Sequence, residues 1–273
     1  MLPSLPALAT PLPLRPGDMV SSETESLRFD AVQTILIIKS DRIYAETLRQ
    51  MTLQAFPRAA VTLALSAASA SMVLANRRFD LLVAGLETSL GGDVLDLLAN
   101  CAASHGSTPR VLVVTTHREF RLLAALRALL VPGVFDAATE APEQLVCALK
   151  MVADGEFYWS RSLLDSIRDT ASSQCLLTRQ LTTAEQLVLT VIGDGSDDEL
   201  AAKELGLSST TIATVRRNLH RKLGAQHRGA LMRIAAQHGF VRFTHSGVIR
   251  TGYTILANDV QVRKTRRPDL TAA

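Results

Sequence analysis

The 273-residue sequence contains few cysteines, few aromatic residues and no long hydrophobic run. Cys101, Cys147 and Cys175 are odd in number and lack Cys-x-x-Cys spacing, so we expect buried free thiols in a reducing cytoplasm. A redox switch at Cys175 is the alternative. No segment approaches the roughly twenty apolar residues that span a bilayer, and the aromatic residues, 4% of the chain, form no pocket pattern.

Motifs of catalysis are also missing from the sequence. We recognise no catalytic triad, metal-ligand cluster or phosphate-binding loop, so we expect no enzyme activity, no cofactor and no metal. The N-terminal segment is apolar but interrupted by prolines and has no basic lead, unlike a secretory signal. We predict that residues 1–31 form a disordered arm, with a partner-binding segment as the alternative.

The length and the charge distribution indicate two domains of different character. A chain of 273 residues with a 47% hydrophobic share can form about two packed domains. Residues 1–170 contain 15 basic and 18 acidic side chains, whereas residues 171–273 contain 14 and 8. A near-neutral N-terminal part and a basic C-terminal part fit a sensor or scaffold joined to a module that binds a polyanion.

Residues 181–224 have the pattern of three short helices separated by two turns. Thr182 and Glu185 have the spacing of a capping box, which predicts the start of the first helix. Gly206 predicts the end of the second, because glycine adopts the left-handed conformation without a steric penalty. Ser208 can cap the third helix. Two helices joined by a short glycine turn are typical of a helix-turn-helix.

The third predicted helix has an apolar face and a basic face. The side chains that we predict to contact DNA lie on or beside the basic face: Thr210, Thr211, Thr214, Arg216, Arg217, Arg221 and Lys222. Thr210, Thr214 and Arg217 are expected to reach base edges in the major groove, and the others to contact phosphates. The alternative is a small helical core with a solvated charged face.

Residues 32–154 alternate short β-rich runs with helical runs. The predicted strands are Thr34–Ile38, Val61–Leu65, Leu81–Ala84, Val111–Thr115 and Val134–Asp136. The predicted helices that follow them are Asp41–Phe56, Ala67–Arg77, Asp93–Ala103, Glu119–Leu130 and Pro142–Asp154. This alternation predicts an α/β flavodoxin-like fold, a five-stranded parallel sheet with crossover helices, whose ligand chemistry belongs at the carboxyl ends of the strands.

The helical stretch resembles the LuxR-type helix-turn-helix of NarL/FixJ-family response regulators. The matching residues are Leu181-Thr182, Glu185, Val188-Leu189, Ala202, Leu205-Gly206, Ser208, Thr211-Ile212, Leu219, Lys222-Leu223-Gly224 and Arg228. The resemblance implies a four-helix all-α domain whose last helix, His227–Gln237, makes dimer contacts. Ala213 and Val215 stand where Lys and His are common in the family, which changes what the recognition helix can read.

The N-terminal α/β part resembles the receiver domain of the same regulators. The resemblance lies in framework residues rather than in the phosphorylation site: Phe79-Asp80, Thr115, Gly133 and Trp159-Ser160. The resemblance places the phosphorylation site at five positions: Lys39, Ser40, Gly85, Thr115 and Ala137. Receivers have an acidic pair at the first two positions, the phosphoacceptor Asp at the third and Lys at the last, so only Thr115 is retained.

This departure has a chemical consequence. Phosphoryl transfer to a receiver needs a carboxylate nucleophile and oxygen ligands for Mg²⁺. Gly85 has no side chain, so we predict that receiver-type phosphorylation does not occur. Lys39 is predicted to fill the vacated metal position and to pair with Glu87 or Asp41, with a solvated surface lysine as the alternative.

The C-terminal residues continue beyond the length of the resembling domain. Val248-Ile249 and Tyr253–Leu256 flank Gly252, which predicts a small hairpin. The run Arg263–Arg267 is either a solvated tail or an additional phosphate contact.

Together these features predict a cytoplasmic bacterial transcriptional regulator that binds double-stranded promoter DNA as a homodimer. Its receiver-like domain would act through dimerisation, a partner protein or a small ligand. The alternative is an adaptor that sequesters a regulatory partner. The predicted segments are an arm (1–31), a receiver-like domain (32–159), a linker (160–177), a helix-turn-helix domain (178–240) and a basic extension (241–273).

Overall fold

The computed structural model describes residues 32–86, 93–103, 109–173, 180–244 and 247–265. The predicted arm at residues 1–31, Glu87 and Cys175 lie outside these ranges. In the described part of the chain, no helix has the length and hydrophobicity needed to cross a bilayer.

The first domain is a parallel sheet with helices on both faces. Its strands are β1 (Thr34–Ile38), β2 (Ala60–Ala64), β3 (Leu81–Gly85), β4 (Arg110–Thr115), β5 (Gly133–Asp136) and β6 (Tyr158–Trp159). The crossover helices are α1 (Arg42–Ala55), α2 (Ala67–Asn76), α3 (Val94–Ala103), α4 (Phe120–Ala128) and α5 (Pro142–Ala153). The strand order is β2-β1-β3-β4-β5-β6, so the doubly wound prediction is confirmed.

The predicted strand count was one too low. Tyr158 and Trp159 pair in parallel with Gly133 and Val134, which adds a sixth, two-residue strand at the edge of the sheet. A two-residue strand carries no alternating pattern in the sequence, because the period-2 signal needs a longer run. The Trp159 indole donates a hydrogen bond to the Val131 carbonyl (3.1 Å), which helps to hold this edge.

Two layers of apolar side chains cover the two faces of the sheet. One layer contains Leu36, Ile38, Leu82 and Leu126, and the other contains Ile35, Ile37, Leu81 and Leu149, all buried. Alternate residues of one strand therefore serve opposite layers, as the two-residue period of a strand requires. Cys147 does not follow the buried-thiol prediction, because it lies on the exposed side of α5; Cys101 is partly buried.

Helix α6 (Arg161–Ser173) follows the sheet within the segment predicted as a linker. Leu163 is fully buried among the side chains that cover the sheet, and Ile167 packs against the same layer. This part of the segment is therefore attached to the first domain. The domain boundaries themselves stay predictions.

The second domain begins with four helices: α7 (Thr183–Ile192), α8 (Asp198–Leu205), α9 (Ser209–Leu223) and α10 (Arg228–Gln237). Thr182 and Glu185 form the predicted capping box of α7. Gly206 ends α8 in the left-handed conformation (φ 62°), where a side chain would be strained. A shared core that includes Leu189, Ala201, Ile212, Leu219 and Leu231 holds the four helices together.

The predicted hairpin in the C-terminal extension was wrong in its position. The hairpin pairs β7 (Val241–Thr244) with β8 (Gly247–Arg250), and Tyr253–Thr265 forms a helix, α11. Two carboxylates of the first domain favour the helix, because they accept hydrogen bonds from backbone N–H groups at its start. Asp93 accepts from Gly252 (2.9 Å) and Asp96 from Thr254 (3.2 Å).

Helix α11 connects the two domains. Its Ile255 packs against a layer of the sheet domain, and its Tyr253 packs against the core of the four helices. Gly239, just after α10, lies so close to the sheet domain that a Cβ there would be 2.6 Å from the Glu119 Cβ. Residues 239–244 and 247–256 thus form an interdomain seam, with α11 between the two cores.

Candidate nucleic-acid interface

The starts of α8 and α9 are both fixed by side-chain caps. The Asp197 carboxylate accepts a hydrogen bond from the Leu200 N–H (2.7 Å), and the Ser208 hydroxyl accepts one from the Thr211 N–H (3.1 Å). The buried Ala202 side chain leaves room for the two helices to pack closely. Helix α9 therefore has a defined orientation relative to the rest of its domain.

One face of α9 is exposed to solvent. Thr210, Thr211, Thr214, Arg217 and Arg221 are all exposed, although the sheet domain is docked against the same domain. The Thr214 hydroxyl donates to the Thr210 carbonyl (2.9 Å), and Arg221 donates to the Asn218 side chain (3.1 Å). Arg217 makes no hydrogen bond or ion pair to the described residues. The structure thus brings these five predicted residues together on an accessible surface.

Arg216 is engaged within the domain. Its guanidinium makes a bidentate pair with Asp198, with Nε 2.9 Å from Oδ1 and Nη2 2.8 Å from Oδ2. The hydrogen bond from Arg216 lowers the pKa of the Asp198 carboxyl, so the carboxylate is ionised near neutral pH. The pair connects the middle of α9 to the first turn of α8.

Lys222 is engaged in the same way at the other end of α9. Its Nζ lies 2.7 Å from Oε2 of Glu185 and 2.9 Å from the Gln180 carbonyl. Burial raises the pKa of the Glu185 carboxyl, but hydrogen bonds from Lys222 and Thr182 outweigh it and lower the pKa overall. Sequence reasoning did not anticipate that the capping carboxylate of α7 also holds α9.

The carboxyl edge of the sheet has a lysine beside a glycine. Lys39 is only 5% exposed, so the alternative of a solvated surface lysine is wrong. A Cβ on Gly85 would lie 2.7 Å from the Lys39 Cδ, and the Lys39 Nζ lies 4.6 Å from the centre of the Tyr44 ring. The lysine stem therefore occupies space that a side chain at position 85 would need.

The three other predicted positions of this edge do not form an acidic site. Thr115 is buried, and its hydroxyl accepts a hydrogen bond from the His117 N–H (2.9 Å), which shapes the loop after β4. Ser40 and Ala137 are partly exposed. Among the described residues, no group of three or more His, Cys, Asp or Glu side chains is arranged to hold a metal ion.

A buried carboxylate at the end of β5 was missed by the sequence reasoning. Asp136 pairs with Arg118 (2.7 Å) and accepts hydrogen bonds from the hydroxyls of Ser162 (2.6 Å) and Thr139 (2.9 Å). Burial raises its pKa, but the hydrogen bonds from Ser162, Ala138 and Thr139 lower it overall. The signal was an acidic residue ending a buried strand, a place that demands polar partners.

The fold and the exposed helix define a receiver-like domain joined to a helix-turn-helix. Residues 179–235 match the family model of bacterial regulatory proteins of the luxR family, so this part of the chain is a LuxR-type domain. A curated relative, the transcriptional regulatory protein MctR of Rhizobium johnstonii, is 32% identical over 99 residues. That match covers 36% of this chain and 45% of MctR, so it spans less than half of the relative.

Solved response regulators share this fold over about three quarters of the chain. RcsB of Salmonella enterica serovar Typhimurium, bound to promoter rprA, superposes with a TM-score of 0.53 at 20% identity, covering 74% of this chain and 97% of RcsB. An RcsB–DNA complex gives a TM-score of 0.50 at 20% identity over 76% and 98% of the two chains. The receiver-like sheet followed by a helical LuxR-type domain is therefore the fold of these regulators.

Proposed function

We propose that this chain is a sequence-specific transcriptional regulator in which α9 enters the major groove of promoter DNA. The observation that carries the proposal is the exposed face of α9 in a domain of LuxR type. Arg217 can form a bidentate pair with guanine, and Thr210 and Thr214 lie on the same face to contact neighbouring bases. Thr211 and Arg221 flank them and would contact phosphates.

Arg216 and Lys222 have a different role in this proposal. Their pairs with Asp198 and Glu185 keep α9 fixed on α8 and α7, so the helix enters the groove already ordered. Each cation still contributes positive potential near the DNA backbone, because salt-bridged side chains at 33% and 31% exposure remain partly open to solvent.

The test of DNA recognition compares two arginine variants on a site selected from random DNA. We expect Arg217→Ala to weaken binding by about 1–3 kcal/mol and to relax preference at one base pair. Arg127→Ala removes an exposed arginine from α4 of the receiver-like domain and serves as the matched control. Equal affinities of the wild type and Arg217→Ala in fluorescence anisotropy would show that another face of the domain reads DNA.

We further propose that the protein is cytoplasmic and that its receiver-like domain works without receiver-type phosphorylation. Support comes from Gly85 at the end of β3 and from the Lys39 stem that packs against it. In this proposal the Lys39 cation takes the place of the acidic pair that would hold Mg²⁺. Incubation with acetyl phosphate and Mg²⁺ should leave the intact mass unchanged, and a stable adduct on any Asp of this domain would contradict the proposal.

Binding as a homodimer completes the proposal. In a solved structure with the same fold, two RcsB dimers are bound to two parallel DNAs. Two copies of α9 would read half-sites about one helical turn apart. Changing that spacing by half a turn should abolish cooperative binding, which mass photometry of the complex can follow.

The adaptor alternative makes the opposite prediction for DNA. An adaptor would sequester a partner through the receiver-like domain and would show no salt-dependent binding to promoter fragments. Steep loss of binding with added salt, with a slope set by the number of phosphate contacts, supports the regulator. The exposed basic side chains of α9 favour it.

A further inference from the structure

A cleft of about 610 Å³ lies between the carboxyl edge of the sheet and the β7–β8 hairpin. Lys39 and the loop after β4, with His117 and Glu119, line one wall. Arg242, Phe243 and Ile249 of the hairpin line the other. Its volume falls in the range of small-molecule sites, which often lie between domains.

Two residues that line this cleft have buried polar atoms with no hydrogen-bond partner within the described chain: Glu119 Oε2, Arg242 Nε and Arg242 Nη2. The other such side-chain atoms in the described part are Arg121 Nε, Arg228 Nε and Thr251 Oγ1, whose residues do not line the cleft. Since buried polar groups in folded proteins are nearly always paired, the atoms of Glu119 and Arg242 point to a bound polar partner.

The charged and apolar side chains of the two walls together select a ligand class. Arg242 lines the cleft, and its Nε and Nη2, which are buried and have no partner among the described residues, form a planar pair of donors that matches a carboxylate better than a spherical anion. Lys39 adds a second positive charge on the opposite wall. The aromatic ring of Phe243 and the aliphatic side chain of Ile249 provide an apolar surface beside these charges.

Glu119 adds a requirement for a hydrogen-bond donor. Its Oε1 lies 3.2 Å from the His117 Nδ1, whereas its Oε2 has no partner. Burial raises the pKa of this carboxyl, but the contact with His117 and the charge of Arg242 lower it overall, so Oε2 accepts rather than donates. A ligand with a hydroxyl or ammonium group beside its carboxylate would satisfy both Glu119 and Arg242.

We propose that this cleft binds a small carboxylic acid with an adjacent hydroxyl or ammonium group and an apolar side chain. Its carboxylate pairs with Arg242 and Lys39, its donor with Glu119, and its side chain packs against Phe243 and Ile249. Such a ligand bridges the receiver-like domain and the hairpin that directly follows α10. The binding claim stands apart from DNA recognition, because it is measured without DNA.

The test uses three probes that share a phenyl group and a carboxylate. L-phenylalanine has an adjacent ammonium, L-phenyllactate has an adjacent hydroxyl, and 3-phenylpropionate has neither. Calorimetric titration of the full-length protein should show saturable binding of the first or second probe and weaker binding of the third. The preferred probe identifies whether amino acids or hydroxy acids are the source of the ligand. Inorganic phosphate at matched ionic strength controls for non-specific anion effects.

Variants at the two key groups complete the test. Arg242→Gln should weaken binding by about tenfold or more, and Arg127→Gln on the exposed side of α4 should leave it unchanged. Glu119→Gln should remove the preference over 3-phenylpropionate. If Arg242→Gln folds poorly, Arg242→Lys is the second variant. It keeps the positive charge but lacks the paired donors of the guanidinium, so it should still bind the probe more weakly than the wild type. Absence of saturable binding by all three probes, or equal binding by wild type and both Arg242 variants, would overturn the proposal.

Discussion

Replacing Lys222 by alanine tests whether the basic side chains of α9 have two different roles. Lys222 and Arg217 are both cations of the same helix, and the sequence placed both on DNA. In the structure, Lys222 is paired with Glu185 and with the Gln180 carbonyl, whereas Arg217 faces solvent. We expect Lys222→Ala to destabilise the helical domain and Arg217→Ala to affect DNA binding alone.

The size of the effect follows from what remains around Glu185. Without Lys222, the Glu185 carboxylate still accepts hydrogen bonds from the Thr182 N–H (2.8 Å) and hydroxyl (3.1 Å). The Glu185 side chain is only 11% exposed. An unpaired buried group costs about 1–3 kcal/mol, and an exposed ion pair contributes about 0–1 kcal/mol. Since Lys222 is 31% exposed, a loss of about 1–2 kcal/mol is expected.

Hydrogen exchange of the full-length protein measures this loss locally. A single unfolding curve for two domains would mix their transitions. The amides of α9 should exchange about 5–30-fold faster in Lys222→Ala if the opening free energy falls by that amount. The same amides should exchange at the wild-type rate in Arg217→Ala, because surface substitutions usually change stability by less than about 0.5 kcal/mol.

The result that would refute this reasoning is unchanged protection of α9 in Lys222→Ala together with weaker DNA binding and a shallower salt dependence. Lys222 would then be a phosphate contact, as the sequence alone suggested. Glu185→Gln is a useful companion, because it keeps the cap to Thr182 and removes the charge that Lys222 meets.

Three further predictions concern the seam and the edge of the sheet. Gly85→Asp should give no adduct with acetyl phosphate by intact mass, since Lys39 and Ser40 supply no acidic pair to hold Mg²⁺. Gly239→Ala should enlarge the radius of gyration in X-ray scattering, since its Cβ would meet the receiver-like domain at 2.6 Å. Gly224→Ala is the control, because Gly224 also has a positive φ but has open space around it, and this variant should leave the radius of gyration unchanged. Burial raises the pKa of the Asp93 carboxyl above its value in the unfolded chain. The free energy of unfolding should therefore fall as the pH rises from the ordinary aspartate pKa through the raised pKa of the folded state. Asp93→Asn should flatten that part of the melting profile.

The predictable part of the fold rested on local signals. Gly206, Ser208 and the Thr182–Glu185 box each fix a helix end within a few residues, so their consequences can be read from the chain. The buried strands were equally clear, because continuous apolar runs alternating with helical ones indicate a parallel sheet. These features depend on residues that are close in sequence, so they can be predicted without knowledge of the tertiary structure.

The parts that could not be predicted depend on contacts distant in sequence. The start of α11 is stabilised by Asp93 and Asp96, more than 150 residues away along the chain. Without those carboxylates in view, Gly252 looked like a hairpin turn. The inward pairs of Arg216 and Lys222 were missed for the same reason, since their partners lie on other helices.

The packing of Lys39 against Gly85 bears on how such a chain can change over generations. An acidic residue introduced at position 85 alone would collide with the lysine stem. A small residue introduced at position 39 alone would leave a void and still supply no nucleophile. Positions 39 and 85 are therefore coupled through packing, and a substitution at one is best accommodated together with a substitution at the other.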